Sequence, residues 1–97
     1  MSSHIQSLLE YLGEPYIITT IDLEDVIYRS FPNGYEFEIS GCHKYDGPYT
    51  LFVWKDKTNT VAIYSDIKTR SNLKDLLGFY ATKYQNLCDQ VRVEREP

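Results

Sequence analysis

The segment Phe31-Pro-Asn-Gly-Tyr35 constrains the fold of this chain more than any other, because it carries a turn signal between two β-prone, apolar stretches. Proline fixes φ at the first turn position, and Asn tolerates the second. Gly34 suits the left-handed third position of a type I turn followed by a G1 bulge. The sequence therefore predicts a β-hairpin centred on a three-residue loop.

The loop length decides which side chains share a face of the sheet. A three-residue loop places Ser30 opposite Glu36 and Tyr28 opposite Glu38, whereas a two-residue Asn-Gly loop would place Arg29 opposite Glu38. We favour the three-residue loop, although it leaves Arg29 on the core face, with its stem buried near the sheet edge and its head in water. Its advantage is a single apolar core face made of Ile27, Phe31, Tyr35, Phe37 and Ile39.

The first half of the chain predicts a helix followed by two strands. Ser2 or Ser3 can cap a helix whose apolar residues form one stripe, and Gly13 followed by Pro15 ends it. The stretches YIITTI and VIYRSF are rich in β-branched and aromatic residues, which indicates strands. The acidic corner at 22–25 separates these strands, with a short helical turn there as the alternative.

The second half predicts a further hairpin and a long helix. The strand YTLFVWK at 49–55 is apolar on both faces, so we expect a helix or a partner chain to cover its second face. The turn at 56–59 leads to the strand TVAIYSDI, and apolar residues from Leu73 to Val91 follow helical spacing.

The fold class predicted from these elements is α+β. It comprises an antiparallel four- to five-stranded sheet, an N-terminal helix and a longer C-terminal helix packed on the sheet, in the order α-β-β-β-β-α. Residues 1–97 are expected to form one domain, with a frayed tail from about residue 92.

Charge is distributed unevenly along the chain. Residues 1–43 hold seven acidic residues and one basic residue, whereas residues 44–97 hold nine basic and seven acidic residues. An acidic half disfavours binding to nucleic-acid phosphates through that half, and it can complement a basic protein surface. No apolar run reaches the ~20 residues of a membrane span and no secretory signal is evident, so we expect a cytoplasmic protein with no membrane partner.

Nine tyrosines are an excess for 97 residues, and clustered tyrosines are typical of protein interfaces. The carboxylates of Glu36 and Glu38 emerge on the same face of the predicted strand, and the loop KYDGPY is suited to display. The predicted protein-binding residues are Tyr28, Glu36, Glu38, Tyr45, Asp46 and Tyr49.

The sequence contains residues suited to two other kinds of site. A basic strip predicts nucleic-acid binding as the alternative function, with Tyr64 and Trp54 as stacking platforms. The strip comprises Lys55, Lys57, Lys68, Arg70, Lys74 and Lys83, and the predicted nucleic-acid-binding residues are Lys55, Lys57, Tyr64, Lys68, Arg70 and Lys74. A small enzyme that uses the Cys42 thiol, His43 or the glutamate pair is the second alternative. Cys42 and His43 lack further ligands at zinc spacing, so we expect no metal site, no cofactor and no catalytic residue.

The sequence therefore favours a small acidic, non-enzymatic interaction module. Its expected partner is a protein with a basic surface. The module would bind that surface as an inhibitor or accessory protein. Homodimerisation is the other version of this hypothesis.

Overall fold

The computed structural model describes residues 3–44 and 47–94, with side chains described up to residue 86. Within these ranges the predicted α+β fold is confirmed, and the sheet has five strands. The elements in chain order are α1 (Ser3–Leu12), β1 (Ile17–Ile21), β2 (Glu24–Ser30), β3 (Tyr35–Ser40), β4 (Tyr49–Lys55), β5 (Asn59–Ile67) and α2 (Arg70–Glu94).

The five strands form an antiparallel meander in the order β1-β2-β3-β4-β5. Each strand pairs with its neighbour in the chain, so short turns suffice for most connections. Successive turns therefore alternate between the two ends of the sheet. The β1–β2 turn and the β3–β4 loop lie at one end, and the β2–β3 and β4–β5 turns lie at the other.

The predicted three-residue loop and its register are confirmed. Ser30 pairs with Glu36 and Tyr28 with Glu38, while Arg29 lies opposite Phe37. The amide of Phe31 donates to the carbonyl of Tyr35 at 2.8 Å, and the amide of Gly34 donates to the carbonyl of Phe31 at 3.1 Å. Gly34 has a φ of 95°, in the left-handed region that favours glycine.

The acidic corner at 22–25 is a tight hairpin turn. Asp22 and Leu23 both have positive φ, 52° and 69°, which excludes the helical alternative. Two successive left-handed residues match the twist of the flanking strands. This turn ends with Glu24, which opens β2 opposite Ile21.

Both helices pack on the same face of the sheet. The core contains three side chains of α1, one face of the strands, and α2 as far as Tyr84. Phe37, Ile39 and Leu51 are fully buried there. Burial of a large apolar side chain stabilises a fold by about 1.5–3 kcal/mol, so this face carries most of the hydrophobic stabilisation.

Arg29 lies on the core face, as the favoured register requires. Its head is shielded by aromatic rings: the Cζ atom lies 4.4 Å from the ring centroid of Phe31 and 5.5 Å from that of Tyr16. Nη1 donates to the hydroxyl of Tyr16 at 3.5 Å. Cation–π contacts thus accommodate a charge that we expected to find in water.

No described helix covers the opposite face of the sheet, which we call the outer face. We expected either a helix or a partner chain to cover the second face of β4. Among the described residues no helix does so, since α1 and α2 occupy the other side, and cover by a partner chain stays a prediction. Phe52 and Trp54 lie on the outer face and are only partly buried. The backbone of α2 is described to Glu94, and the frayed tail from about residue 92 stays a prediction.

We predict that Asn33→Ala lowers the free energy of unfolding by about 1–2 kcal/mol. The Asn33 amide nitrogen donates to the carbonyl of Tyr84 at 2.8 Å, and its Oδ1 accepts from the amide of Tyr35 at 3.3 Å, so the side chain joins the loop to α2. Denaturant unfolding measures the change. Asn72→Ala, at an exposed position in α2, is the control and should change stability by less than about 0.5 kcal/mol. Equal losses in both variants would contradict this role for the loop.

Candidate functional site: a carboxylate and aromatic groove

The outer face forms a concave groove of about 440 Å³. This volume falls within the usual range for ligand sites, about 300–1,000 Å³. The side chains that line it come from β1 to β4 and from the turn after β4. They are Ile17, Thr19, Ile21, Asp22, Tyr28, Glu36, Glu38, Trp54 and Lys57.

Four of these side chains form a cluster on three adjacent strands, the quartet of Tyr28, Glu36, Glu38 and Trp54. Tyr28 lies directly opposite Glu38, and Trp54 lies directly opposite Glu36. The hydrogen bonds run along the diagonals: Nε1 of Trp54 donates to Oε1 of Glu38 at 3.1 Å, and the hydroxyl of Tyr28 bonds to Glu36. Each aromatic residue therefore lies opposite one carboxylate and is hydrogen-bonded to the other.

The strand pattern explains why these residues meet. Alternation in β3 sends Phe37 and Ile39 to the core and Glu36 and Glu38 to the outer face. The pairing of β4 with β5 is irregular beside Trp54: Val53 pairs with Ala62, whereas Trp54 pairs with Thr60. Bulges increase local twist, which favours a concave face at this position.

Partial burial raises the pKa of the Glu38 carboxyl. The hydrogen bond from Trp54 opposes this rise, whereas the carboxylates of Glu24 and Asp22 add to it. The Glu24 carboxylate is itself held by the Ser40 hydroxyl at 2.9 Å. Glu38 therefore bears a negative charge that is poorly compensated within the folded chain.

Negative charge also accumulates around Tyr28. Burial raises the pKa of its phenol to about 12, with a further contribution from the hydrogen bond to Glu36 and from the charge of that carboxylate. The phenol thus remains a hydrogen-bond donor at neutral pH. The charge of Glu36 is accommodated by a donor that carries no positive charge.

The structure brings together three of the six residues predicted for protein binding, namely Tyr28, Glu36 and Glu38. Tyr49 lies elsewhere: it is fully buried in the core, because it begins β4 in phase with Leu51. It cannot contribute a side chain to an exposed surface. Tyr45 and Asp46 lie outside the described residues.

The sequence did not single out β1 and the two turns that complete the groove. Ile17, Thr19 and Ile21 line it because β1 pairs with β2, and Asp22 and Lys57 lie in turns at opposite ends of the sheet. Only the strand order could have placed them there. For Trp54 there was a local signal, since the alternation of β4 puts it on the same face as Phe52.

The structure does not gather the predicted basic strip into one surface. Lys55 and Lys57 lie at one end of β5 and Lys68 and Arg70 at the other, which is about 26 Å for a nine-residue strand. Lys55 donates to the carbonyl of Asn33 at 2.7 Å.

The remaining members of the strip are engaged in contacts with aromatic groups. Nζ of Lys74 lies 4.8 Å from the ring centroid of Tyr11 and donates to the carbonyl of the same residue at 3.2 Å. Tyr64 stacks on Tyr80 at 4.1 Å between ring centroids, and its hydroxyl lies 2.9 Å from that of Tyr84. Tyr64 is thus part of a tyrosine stack between β5 and α2.

The Cys42 thiol, two residues after the end of β3, is buried. Its Sγ donates to the carbonyl of Ile39 at 3.1 Å, and burial raises the pKa of the thiol to about 12. Since the thiolate is the reactive form, this environment does not support nucleophilic chemistry at neutral pH. His43, the next residue, is exposed.

Within 3–44 and 47–94 there is no group of three or more His, Cys, Asp or Glu side chains arranged to hold a metal ion. In the same part of the chain, no helix combines the length and the apolar character needed to cross a membrane.

No protein-family model, curated protein or solved structure matches this chain. Its function is therefore inferred from the chemistry of the groove.

We predict that Glu38→Gln raises the free energy of unfolding at pH 7, by less than about 1 kcal/mol because solvent screens this partly exposed group. Since the pKa of Glu38 is raised in the folded protein, its contribution to stability is present below the ordinary value of 4.5 and is lost as the pH rises through the folded pKa. Glutamine retains an acceptor for Trp54 without the charge.

Denaturant unfolding at a series of pH values tests this prediction. The two proteins should have equal stability in acid and diverge toward neutral pH, and Glu10→Gln at an exposed position of α1 should show no such divergence. A Glu38→Gln protein that is less stable than the original at pH 7 would show that the carboxylate is stabilised in the folded state.

Proposed function

We propose that this protein is a small non-enzymatic interaction module that binds a basic surface of another protein through its outer face, as an inhibitor or accessory protein. The observation that carries the proposal is the groove itself. It combines carboxylates and aromatic rings on a sheet face that no described helix covers. Its chemistry suits a positively charged partner.

The charge of the groove supports this choice of partner. Its lining includes the carboxylates of Asp22, Glu36 and Glu38, against the single ammonium group of Lys57. Glu24 adds to the negative potential, as its effect on the Glu38 pKa shows. A basic partner would be attracted to this face and would compensate charges that the chain leaves unbalanced.

The aromatic side chains and their rigid support also suit an interface. Tyr28 and Trp54 are of the types most enriched among energetically dominant interface residues. Both lie on strands in the interior of the sheet and are hydrogen-bonded to carboxylates. Such side chains lose little conformational freedom on binding, which favours affinity.

Apolar side chains are exposed around the groove. Ile17 is 53% exposed in β1, Ile63 is 57% exposed in β5, and Leu23 is fully exposed in the β1–β2 turn. Leucine at a left-handed φ costs about 1–2 kcal/mol, so a fully exposed Leu23 is unfavourable for the isolated chain on two counts. A partner that covers this turn would account for it.

The other functions have less support. Nucleic-acid binding would need the dispersed basic residues to act together, and a thiol enzyme would need an ionised Cys42. Self-association through the outer face must overcome repulsion between two acidic surfaces. We also propose a cytoplasmic location, with which the free, buried thiol of Cys42 is compatible.

Affinity capture from the native host tests the proposed function. We predict that Glu36→Lys/Glu38→Lys abolishes capture of at least one protein that the original chain retains, because the variant turns an attractive surface repulsive. The matched control is Glu10→Lys/Glu14→Lys, which makes the same change in net charge at exposed positions away from the groove. It should retain the partner.

Equal capture by both variants would contradict the proposal, since binding would then be independent of the outer face. Sedimentation of the purified chain separates the self-association version. If the chain is a monomer over a wide concentration range, the partner-binding version of the proposal remains. If it is a dimer that Glu36→Lys/Glu38→Lys dissociates and Glu10→Lys/Glu14→Lys does not, self-association replaces partner binding.

A further inference from the structure

We propose that the groove recognises an arginine side chain presented by an extended segment of the partner. This inference rests on the proposed function and specifies the chemistry of the same site. The guanidinium group would lie among the aromatic rings and carboxylates of the quartet.

The crossed hydrogen bonds of the quartet favour a guanidinium group. Trp54 uses Oε1 of Glu38, and no other described residue donates a hydrogen bond to this carboxylate. Glu36 bonds to the phenol of Tyr28. Each carboxylate therefore retains acceptor capacity, since a carboxylate has about four lone-pair sites.

Arginine fits this arrangement better than lysine does. Its planar fork carries five donors, enough to reach both carboxylates, whereas an ammonium group is a compact charge that is more strongly hydrated. Glu36 and Glu38 are two residues apart on one strand, so their Cβ atoms are separated by about 6.7 Å. A guanidinium group can also stack on Tyr28 or Trp54, which flank the carboxylates on either side.

The shape of the groove indicates an extended segment. It runs from Asp22 in the turn at one end of the sheet to Lys57 in the turn at the other end. It is also bordered by the edge strand β1, through Ile17 and Thr19. An elongated site of this kind accommodates a strand-like chain with alternate side chains directed into it.

Lys57 gives the groove a polarity. Its ammonium group is exposed and lines the end that lies beside Trp54. A bound cation would be repelled from this end and attracted toward Asp22. Removal of the Lys57 charge should therefore strengthen binding.

The fluorescence of Trp54 allows a direct test, because it is the only tryptophan of the chain. Three heptapeptides are titrated into the protein at low salt. In each peptide serine alternates with one other residue, which is arginine, lysine or citrulline, the neutral isostere of arginine. We expect the arginine peptide to bind about fivefold more tightly than the lysine peptide, and the citrulline peptide to give no saturable signal.

Variants locate the interaction. Glu36→Gln/Glu38→Gln should weaken binding of the arginine peptide at least tenfold, and Glu10→Gln/Glu14→Gln should leave it unchanged. Lys57→Ala should strengthen binding about two- to threefold, whereas Lys68→Ala, at the far end of β5, should not. Circular dichroism confirms that each variant is folded.

The outcomes separate this inference from the proposed function. Equal or tighter binding of the lysine peptide would overturn the arginine assignment and leave the basic partner in place. Absence of a saturable signal from all three peptides would also overturn it. The proposed function is tested separately, and it fails if the host partner is captured equally by the Glu36→Lys/Glu38→Lys and Glu10→Lys/Glu14→Lys variants.

Discussion

The three-residue turn between β2 and β3 is the constraint on which the rest of the structure depends. By closing the hairpin with Phe31 opposite Tyr35, it fixes the face on which every side chain of both strands lies. Asn33 then joins this turn to the carbonyl of Tyr84, so the same residues that set the register also position the C-terminal helix. A slip of one residue would bring Arg29 opposite Glu38 and neutralise part of the acidic face.

The register gives the sheet two faces of opposite character. The core face is covered by both helices and contains almost all of the fully buried apolar residues. The outer face has no cover among the described residues and carries the quartet, in which aromatic groups donate hydrogen bonds to two carboxylates. Such an arrangement destabilises the isolated chain slightly, and a cationic partner would reduce the repulsion between the carboxylates. The division explains how a chain of this size can combine a stable core with a binding surface.

Local sequence chemistry was sufficient to predict the elements, the hairpin register and the pairing of Tyr28, Glu36 and Glu38 on one face. Those features follow from alternation and turn residues, which act over a few positions. Other features depend on contacts between distant segments. The sequence alone did not place Lys57 and Asp22 at opposite ends of one groove, nor separate Lys55 from Lys68 by the length of β5. Tyr49 was predicted as an interface residue because it flanks a loop, but its position in the β4 alternation places it in the core.

The central claim is that the β2–β3 register places Tyr28, Glu36 and Glu38 together on an open face, and cross-strand nuclear Overhauser effects in solution test it most directly. The bond between Phe31 and Tyr35 makes Tyr28 and Glu38 a non-hydrogen-bonded pair, whose α protons lie close together. The account predicts a strong effect between these two α protons. A strong effect between the α protons of Arg29 and Glu38 would show the two-residue loop and would contradict the account.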